Sequence, residues 1–213
     1  MITAFKKTNI YLTLSAVLII AGLILLKLND KIDFHLFVNR FHTDFLDVFF
    51  KWITHAGDGT VLAITSVSLV IVYWKKYSYS LLTFAAINLI LVAAIVQTLK
   101  RLIYFDAFRP AKFIGYDLLY LVPGVDIHTD NSFPSGHTTA AFAFFALLAL
   151  LLHKKKWMQV VCLIMAALAG YSRMYLSQHF LEDVVAGASI GICCFLVTYL
   201  IVSTIPFKNN ITK

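Results

Sequence analysis

The sequence predicts an all-α, polytopic membrane protein, and three observations carry that prediction. First, 60% of the 213 residues are hydrophobic and only 14% are charged, with a mean hydropathy of +0.81. Soluble domains run near about 45–50% apolar with roughly a quarter charged. A core of this size cannot hide so much apolar surface, so a bilayer is its natural solvent. Second, the apolar residues gather into six runs, at 10–28, 60–74, 80–98, 137–152, 157–175 and 183–205. Third, the charges are segregated. Lys6, Lys7, Lys75, Lys76, Lys154, Lys155, Lys156, Lys208 and Lys213 fall in the tails and two short loops of one side, where none of the 11 Asp and Glu is found. The positive-inside rule makes that side cytoplasmic, with both termini inside. The net charge of +7 therefore reflects topology and is no argument for nucleic acid.

The first run follows Lys6-Lys7 as in a signal peptide. It has no small-residue cleavage site before the polar stretch and is long enough to span, so a retained helix is expected. Residues 32–53 mix aromatics with charge, and apolar positions 34, 37, 38, 41, 45, 48, 49 and 52 recur at helical spacing. They predict one amphipathic helix in the outer interface, serving to connect two spans. His35, His42 and His55 read as surface or interface histidines, and "HAGDGT" (55–60) as a turn ending in a helix cap. The second and fourth runs are short against the ~20 residues a span needs. They must recruit neighbours or be screened from lipid by protein. Phe (18) and Tyr (10) suit lipid-facing surfaces and interfacial belts. Cys162, Cys193 and Cys194 lie inside apolar runs without metal-ligand spacing, which suits packing. No repeat, linker or soluble appendage is evident, so residues 1–213 read as a single membrane-embedded domain.

Three polar clusters fall at the same, outward face of these runs. "LKRLIYFDAFRP" places Lys100, Arg101 and Arg109 beyond the third run; "PSGH" places Pro134, Ser135, Gly136 and His137 at the start of the fourth; "SRMYLSQHFLED" places Ser172 and Arg173 at the end of the fifth and His179 and Asp183 at the start of the sixth. Each has a plain structural reading. Lys100 and Arg101 could snorkel to headgroups, Ser135 could cap a helix, and a His–Asp pair at i, i+4 is often structural. Taken together, four cations and two histidines at one depth repel one another unless an anion joins them.

These residues resemble the signature of the type-2 phosphatidic acid phosphatase superfamily, which also includes vanadium haloperoxidases and glucose-6-phosphatase-like enzymes. That signature runs Lys-x6-Arg-Pro, Pro-Ser-Gly-His, then Ser-Arg-x5-His-x3-Asp. The second part is intact as Pro134 to His137 and the third as Ser172-Arg173, His179 and Asp183. The first departs: Arg109-Pro110 is present, but Leu102 stands where the lysine should be. Either two residues are looped out and Lys100 serves, the favoured reading, or Arg101 takes its place.

The resemblance implies a six-span membrane phosphatase with an outward-facing site, acting without metal or other cofactor. His179 would be the nucleophile, oriented by Asp183, and His137 the proton donor and acceptor. Lys100, Arg109 and Arg173, with Ser135 and the Gly136 N–H, would hold the phosphoryl oxygens. The expected substrate is a lipid phosphate in the bilayer, undecaprenyl pyrophosphate or phosphatidylglycerol phosphate, with no obligatory protein partner. Lipid A phosphatase, lipid-to-lipid phosphotransferase and non-catalytic lipid-phosphate binder or transporter are the alternatives.

Overall fold

The computed structural model describes residues 2–212, and every regular element among them is helical. Helix α1 (Ile2–Leu28) is broken at Thr8, whose backbone leaves helical geometry (φ −120°, ψ 23°). A break frees backbone groups that lipid cannot satisfy. The buried Gln159 supplies them: its Oε1 accepts from the N–H of Ile10 and Tyr11 at 3.1 and 3.2 Å, and its Nε2 donates to the Lys7 carbonyl at 2.8 Å.

Residues 32–53 form two helices rather than one, α2 (Lys31–Asn39) and α3 (Asp44–Ile53), capped by the side chains of Asp30 and Thr43. The predicted periodicity is present, but its polar stripe faces inward. His35, Asn39 and Asp47 are buried, while Phe37, Phe41, Phe45, Val48 and Trp52 are exposed. His35 and His42 are thus not surface residues: the first is buried, and the second bonds Asp47 through Nδ1 at 2.9 Å.

A 3₁₀ turn (Thr54–Gly57) joins α3 to α4 (Gly59–Val72), and the two helices bend by 59° across it. Helix α5 (Trp74–Thr98) follows almost at once, with a distortion at Ser78, and ends in a π-helical turn, Leu99–Ile103. The short α6 (Pro110–Ile114) has proline in its first turn, where the missing N–H costs nothing. A long loop then leads to α7 (Gly136–Leu151), α8 (Lys156–Tyr175) and α9 (Leu181–Thr204).

Among the described residues, four helices are long and apolar enough to cross a membrane: Lys6–Leu28, Trp74–Ile103, Lys156–Tyr175 and Leu181–Thr204. The bent α3–α4 pair makes a fifth if counted as one span. The sixth expected span corresponds to α7, whose 16 residues are short. Its position explains how it can be: α7 is central, packed against α1, α4, α5, α8 and α9. Its residues Phe142, Leu147 and Leu150 are buried among Tyr11 of α1, Phe84 of α5 and Phe195 of α9. The Tyr11 hydroxyl donates to the Phe142 carbonyl at 2.8 Å.

Helix α9 lies closest to α7, and Gly191 permits this. A Cβ there would stand 2.5 Å from the Thr139 carbonyl oxygen, backbone that cannot yield. At one end of the bundle the start of α1 meets the turn before α8, where Lys156 Nζ donates to Asn9 at 3.3 Å. Near it the chain's last residues fold back: the Tyr199 hydroxyl donates to the Thr212 carbonyl and Ser80 to Asn210. At the other end α5 and α8 finish and α4, α7 and α9 begin.

Candidate active site

At that second end the signature residues converge. Ser135 caps α7; its Oγ accepts from the Thr138 N–H at 3.4 Å and lies 2.8 Å from the Thr138 hydroxyl. Its N–H donates to the Asp183 carbonyl at 3.0 Å, tying the start of α7 to the start of α9. Ser135 is fully buried and its hydroxyl is committed to the cap, whereas Gly136 and His137 line the cavity.

The spacing between Arg173 and His179 follows from how α8 ends. Ser177 adopts a left-handed conformation (φ 51°), and the N–H groups of Gln178 and His179 turn back to the Arg173 carbonyl at 2.9 and 3.1 Å. This αL closure of a helix C-terminus places the His179 ring beside the Arg173 side chain. Asp183 sits at the third position of α9 and accepts the Phe180 N–H at 2.9 Å, so the residue that caps the helix also faces the histidine. Its Oδ2 lies 3.3 Å from His179 Nδ1 and accepts from the Ser132 hydroxyl at 2.6 Å. With Nδ1 so occupied, Nε2 is the ring nitrogen left to face the cavity.

Both histidines meet the cations there. A cavity of about 520 Å³ is lined by Lys100, Arg109, His137, Arg173 and His179, and it continues between α4, α5 and α7 along apolar residues including Ala63, Leu89 and Val96. A second cavity, of about 690 Å³, shares His128, His137 and Arg173 with it and opens on the other side, past Thr54, His55 and Asp58. Arg109 is 9% and Arg173 7% exposed. Among the described residues neither forms an ion pair with a carboxylate within 4 Å. Arg109 is held by neutral oxygens instead, the Asp130 carbonyl at 3.0 Å and Gln178 Oε1 at 3.0 Å. Arg173 donates to Thr54 Oγ1 at 2.7 Å, and its Nε has no partner. Burial pulls Arg109 below its ordinary value. Burial, then the charges of Arg109, Arg173 and Lys100, hold His179 well below the usual imidazole range, so it is neutral. Two buried guanidinium groups that line one cavity suit an anion between them.

The two candidates for the cation of the first motif differ in placement. Lys100 lines the cavity and donates to the Asn131 carbonyl at 2.7 Å, whereas Arg101 is exposed and lies outside it. The π-helical turn and the bend after it, where the Ala107 N–H reaches the Tyr104 carbonyl, absorb the two extra residues before Arg109. Lys100→Ala should lower kcat/KM by about 10²–10³-fold, as loss of one charge-stabilising donor does. Arg101→Ala should stay within about twofold. Steady-state rates of the two purified variants check this.

The sequence profile of the PAP2 superfamily matches residues 80–206, from within α5 to just past the end of α9. The chain belongs to the PAP2 superfamily. Over 81 residues it is 40% identical to an undecaprenyl-diphosphatase of Sulfolobus acidocaldarius, a stretch covering 38% of each chain. It spans well under half the length of the curated relatives it matches. Among solved structures it resembles Aquifex aeolicus LpxE, at 28% identity and a TM-score of 0.64, over 79% of this chain and 93% of that one. The PAP2-type phosphatidylglycerolphosphate phosphatase of Bacillus subtilis matches over 98% of this chain and 100% of that one, at 21% identity and a TM-score of 0.69, which speaks for the fold. With these relatives and its long apolar helices, the chain is an integral membrane protein.

Several residues of this PAP2 site carried no signal in the sequence. Ser132 and Gln178 are polar residues in loops whose partners, Asp183 and Arg109, are distant in the chain. Thr54 precedes Arg173 by 119 residues. Behind the His179 loop lies a buried polar network. Asn39 Nδ2 donates to Ser177 Oγ at 3.2 Å and to the Tyr120 carbonyl at 2.9 Å, while its Oδ1 accepts the Tyr120 N–H. His35 Nε2 lies 3.3 Å from Ser177 Oγ; burial pushes its pKa down to about 4, so it stays neutral there. The hydroxyls of Tyr120 and Tyr175 donate to Asp47. These bonds hold Ser177 in its left-handed conformation, two residues before His179.

Proposed function

We propose that the protein is a membrane lipid phosphatase, hydrolysing a lipid phosphate or diphosphate through a phosphohistidine on His179. The observation that carries this reading is the pair of buried, counterion-free guanidinium groups, Arg109 and Arg173, converging with Lys100 on a cavity that also holds both histidines. A phosphoryl group supplies the missing charge, and arginine's planar fork suits its oxygens.

The neutral His179 attacks phosphorus through Nε2. The N–P bond forms as the bond to the leaving oxygen breaks, and Asp183 supports the positive charge gathering on the ring. His137, entering protonated, gives its proton to the leaving oxygen. It then takes one from the water that cleaves the N–P bond, releasing inorganic phosphate and restoring both histidines. Lys100, Arg109, Arg173 and the amides at the start of α7 stabilise the equatorial oxygens, charge that a metal ion provides in other phosphoryl-transfer enzymes.

The apolar arm between α4, α5 and α7 suits a hydrocarbon chain entering from the bilayer. Undecaprenyl pyrophosphate is our preferred substrate, supported by the identity to an undecaprenyl-diphosphatase, with phosphatidylglycerol phosphate next. We place six spans across the bilayer, counting α7 and the bent α3–α4 pair. The lysine-rich end lies in the cytoplasm with both termini, and the site faces outward. Lys7 and Lys76 feel each other's charge at that end, opposite the site, as the positive-inside rule requires.

The test is phosphate release in detergent, with EDTA present, from undecaprenyl pyrophosphate, phosphatidylglycerol phosphate, phosphatidic acid and lipid A. EDTA-resistant release, fastest from undecaprenyl pyrophosphate, is expected. Release from none of them would overturn the hydrolase reading, and release abolished by EDTA would overturn the metal-free mechanism.

A further inference from the structure

The sequence reads His55–Thr60 as a turn, yet residues Thr54–Asp58 form one wall of the site. Thr54 accepts from Arg173 at 2.7 Å. Gly57 lies so close to His137 that a Cβ on it would stand 2.7 Å from the His137 carbonyl oxygen. Asp58 caps α4 with one carboxylate oxygen only: Oδ1 accepts the N–H groups of Thr60 and Val61 at 2.9 and 3.0 Å. Its other oxygen, Oδ2, is aimed across the cavity mouth at His137 Nε2, 3.9 Å away. The cap fixes the carboxylate, so this approach is built into the backbone.

The charge around His137 makes the approach consequential. Lys100, Arg109, His128, Arg173 of α8 and His179 line the cavity it faces, and each positive charge among them opposes a proton on its ring. Asp126 lines the larger cavity as well, but Asp58 is the carboxylate within 4 Å of the ring among the described residues. A general acid must hold its proton until the leaving oxygen needs it. Among these cations, a nearby carboxylate is the group that favours the proton.

We propose that Asp58 is the positioning residue of the general acid, favouring the protonated form of His137 through charge while leaving its Nε2–H free for the leaving oxygen. At 3.9 Å the carboxylate is near enough to stabilise the imidazolium and too far to hold the proton in a hydrogen bond of its own. The turn is thus a further functional element of the site, supplied by a segment that precedes the matched family region. This inference rests on the proposed role of His137.

The experiment compares wild type, Asp58→Asn and His137→Ala on two substrates: the lipid monoester of the panel that wild type turns over fastest, and p-nitrophenyl phosphate, whose phenolate leaves without a proton. Asparagine keeps the helix cap and removes only the charge. Asp58→Asn should lower kcat on the lipid by about 10- to 100-fold, a share of what general acid catalysis supplies. KM and the rate on p-nitrophenyl phosphate should stay close to wild type, and the basic limb of the kcat–pH profile should move to lower pH. Equal losses on both substrates, or no loss on either, would overturn the proposal. Asp58→Ser, which also retains a cap, repeats the comparison should the asparagine variant fold poorly. If His137→Ala separates the two substrates and Asp58→Asn does not, Asp58 alone loses its role. Single-turnover release of the leaving group isolates the first step from the hydrolysis that both substrates share; if His137→Ala lowers that release equally for both, the acid assignment falls and Asp58 with it.

Discussion

Replacing His179 with glutamine should reduce phosphate release by about 10⁴- to 10⁶-fold, the scale on which loss of a nucleophile acts when its partners remain. Glutamine retains polarity and much of the volume, and His179 makes its ring contacts through Nδ1 alone, to Asp183 and Ser132. The variant should therefore remain folded in the membrane. Labelled lipid substrate, quenched in alkali, should yield an acid-labile phosphoprotein from wild type and none from the variant. Because the free-enzyme pKa of His179 is depressed, first by burial and then by the neighbouring cations, its inactive protonated form gathers only well below the ordinary imidazole range. As pH falls from 8 to 6, kcat/KM should show no loss assignable to this residue. An acid limb near pH 6.5 that disappears when His179 is replaced would contradict the assignment. The same depression means folding is favoured when the ring is neutral, a contribution present above the unfolded value and lost on acidification.

The second large effect separates activity from stability. Arg173→Met should lower kcat/KM by about 10³-fold or more, as expected for a charge that stabilises the transferring phosphoryl group. Yet in phosphate-free detergent the variant should melt about 2–4 °C higher than wild type. Arg173 is buried beside Arg109 with its Nε unpartnered, and replacing a buried charge by an apolar side chain of similar volume is often stabilising. Orthovanadate should raise the melting temperature of wild type by binding the folded state, and leave that of Arg173→Met unchanged. A variant that melts far below wild type would mean that Arg173 is chiefly a strut for Thr54 and the turn it belongs to.

The signature residues were legible in the sequence, and their supports were not. His137, Arg173, His179 and Asp183 could be read because their spacing is imposed locally, by the start of α7, the αL closure after α8 and the capping position of α9. Lys100 was ambiguous because a π-helical turn alters the count without altering the composition. Residues 32–53 read as one helix because the apolar period of 3.6 carries on through Phe41, although Thr43 caps a second helix there. The period gives two faces without saying what each meets, and the structure turns Phe45 and Trp52 out and Asp47 in. Asp58 and Thr54 were unreadable because their partners lie 79 and 119 residues away, and nothing local marks a turn as the wall of a cavity.

The central position of α7 carries a consequence for the bilayer itself. Sixteen residues at 1.5 Å each span about 24 Å, against a hydrocarbon core of about 30 Å. Alone in lipid, α7 would have to thin the membrane around it, at a cost of fractions of a kcal/mol for each ångström. Packed against α1, α4, α5, α8 and α9, it meets mainly protein, and most of that cost is relieved. Assembly of the site is thereby favoured by relief of mismatch as well as by packing, and the folded state should gain as the host membrane thickens.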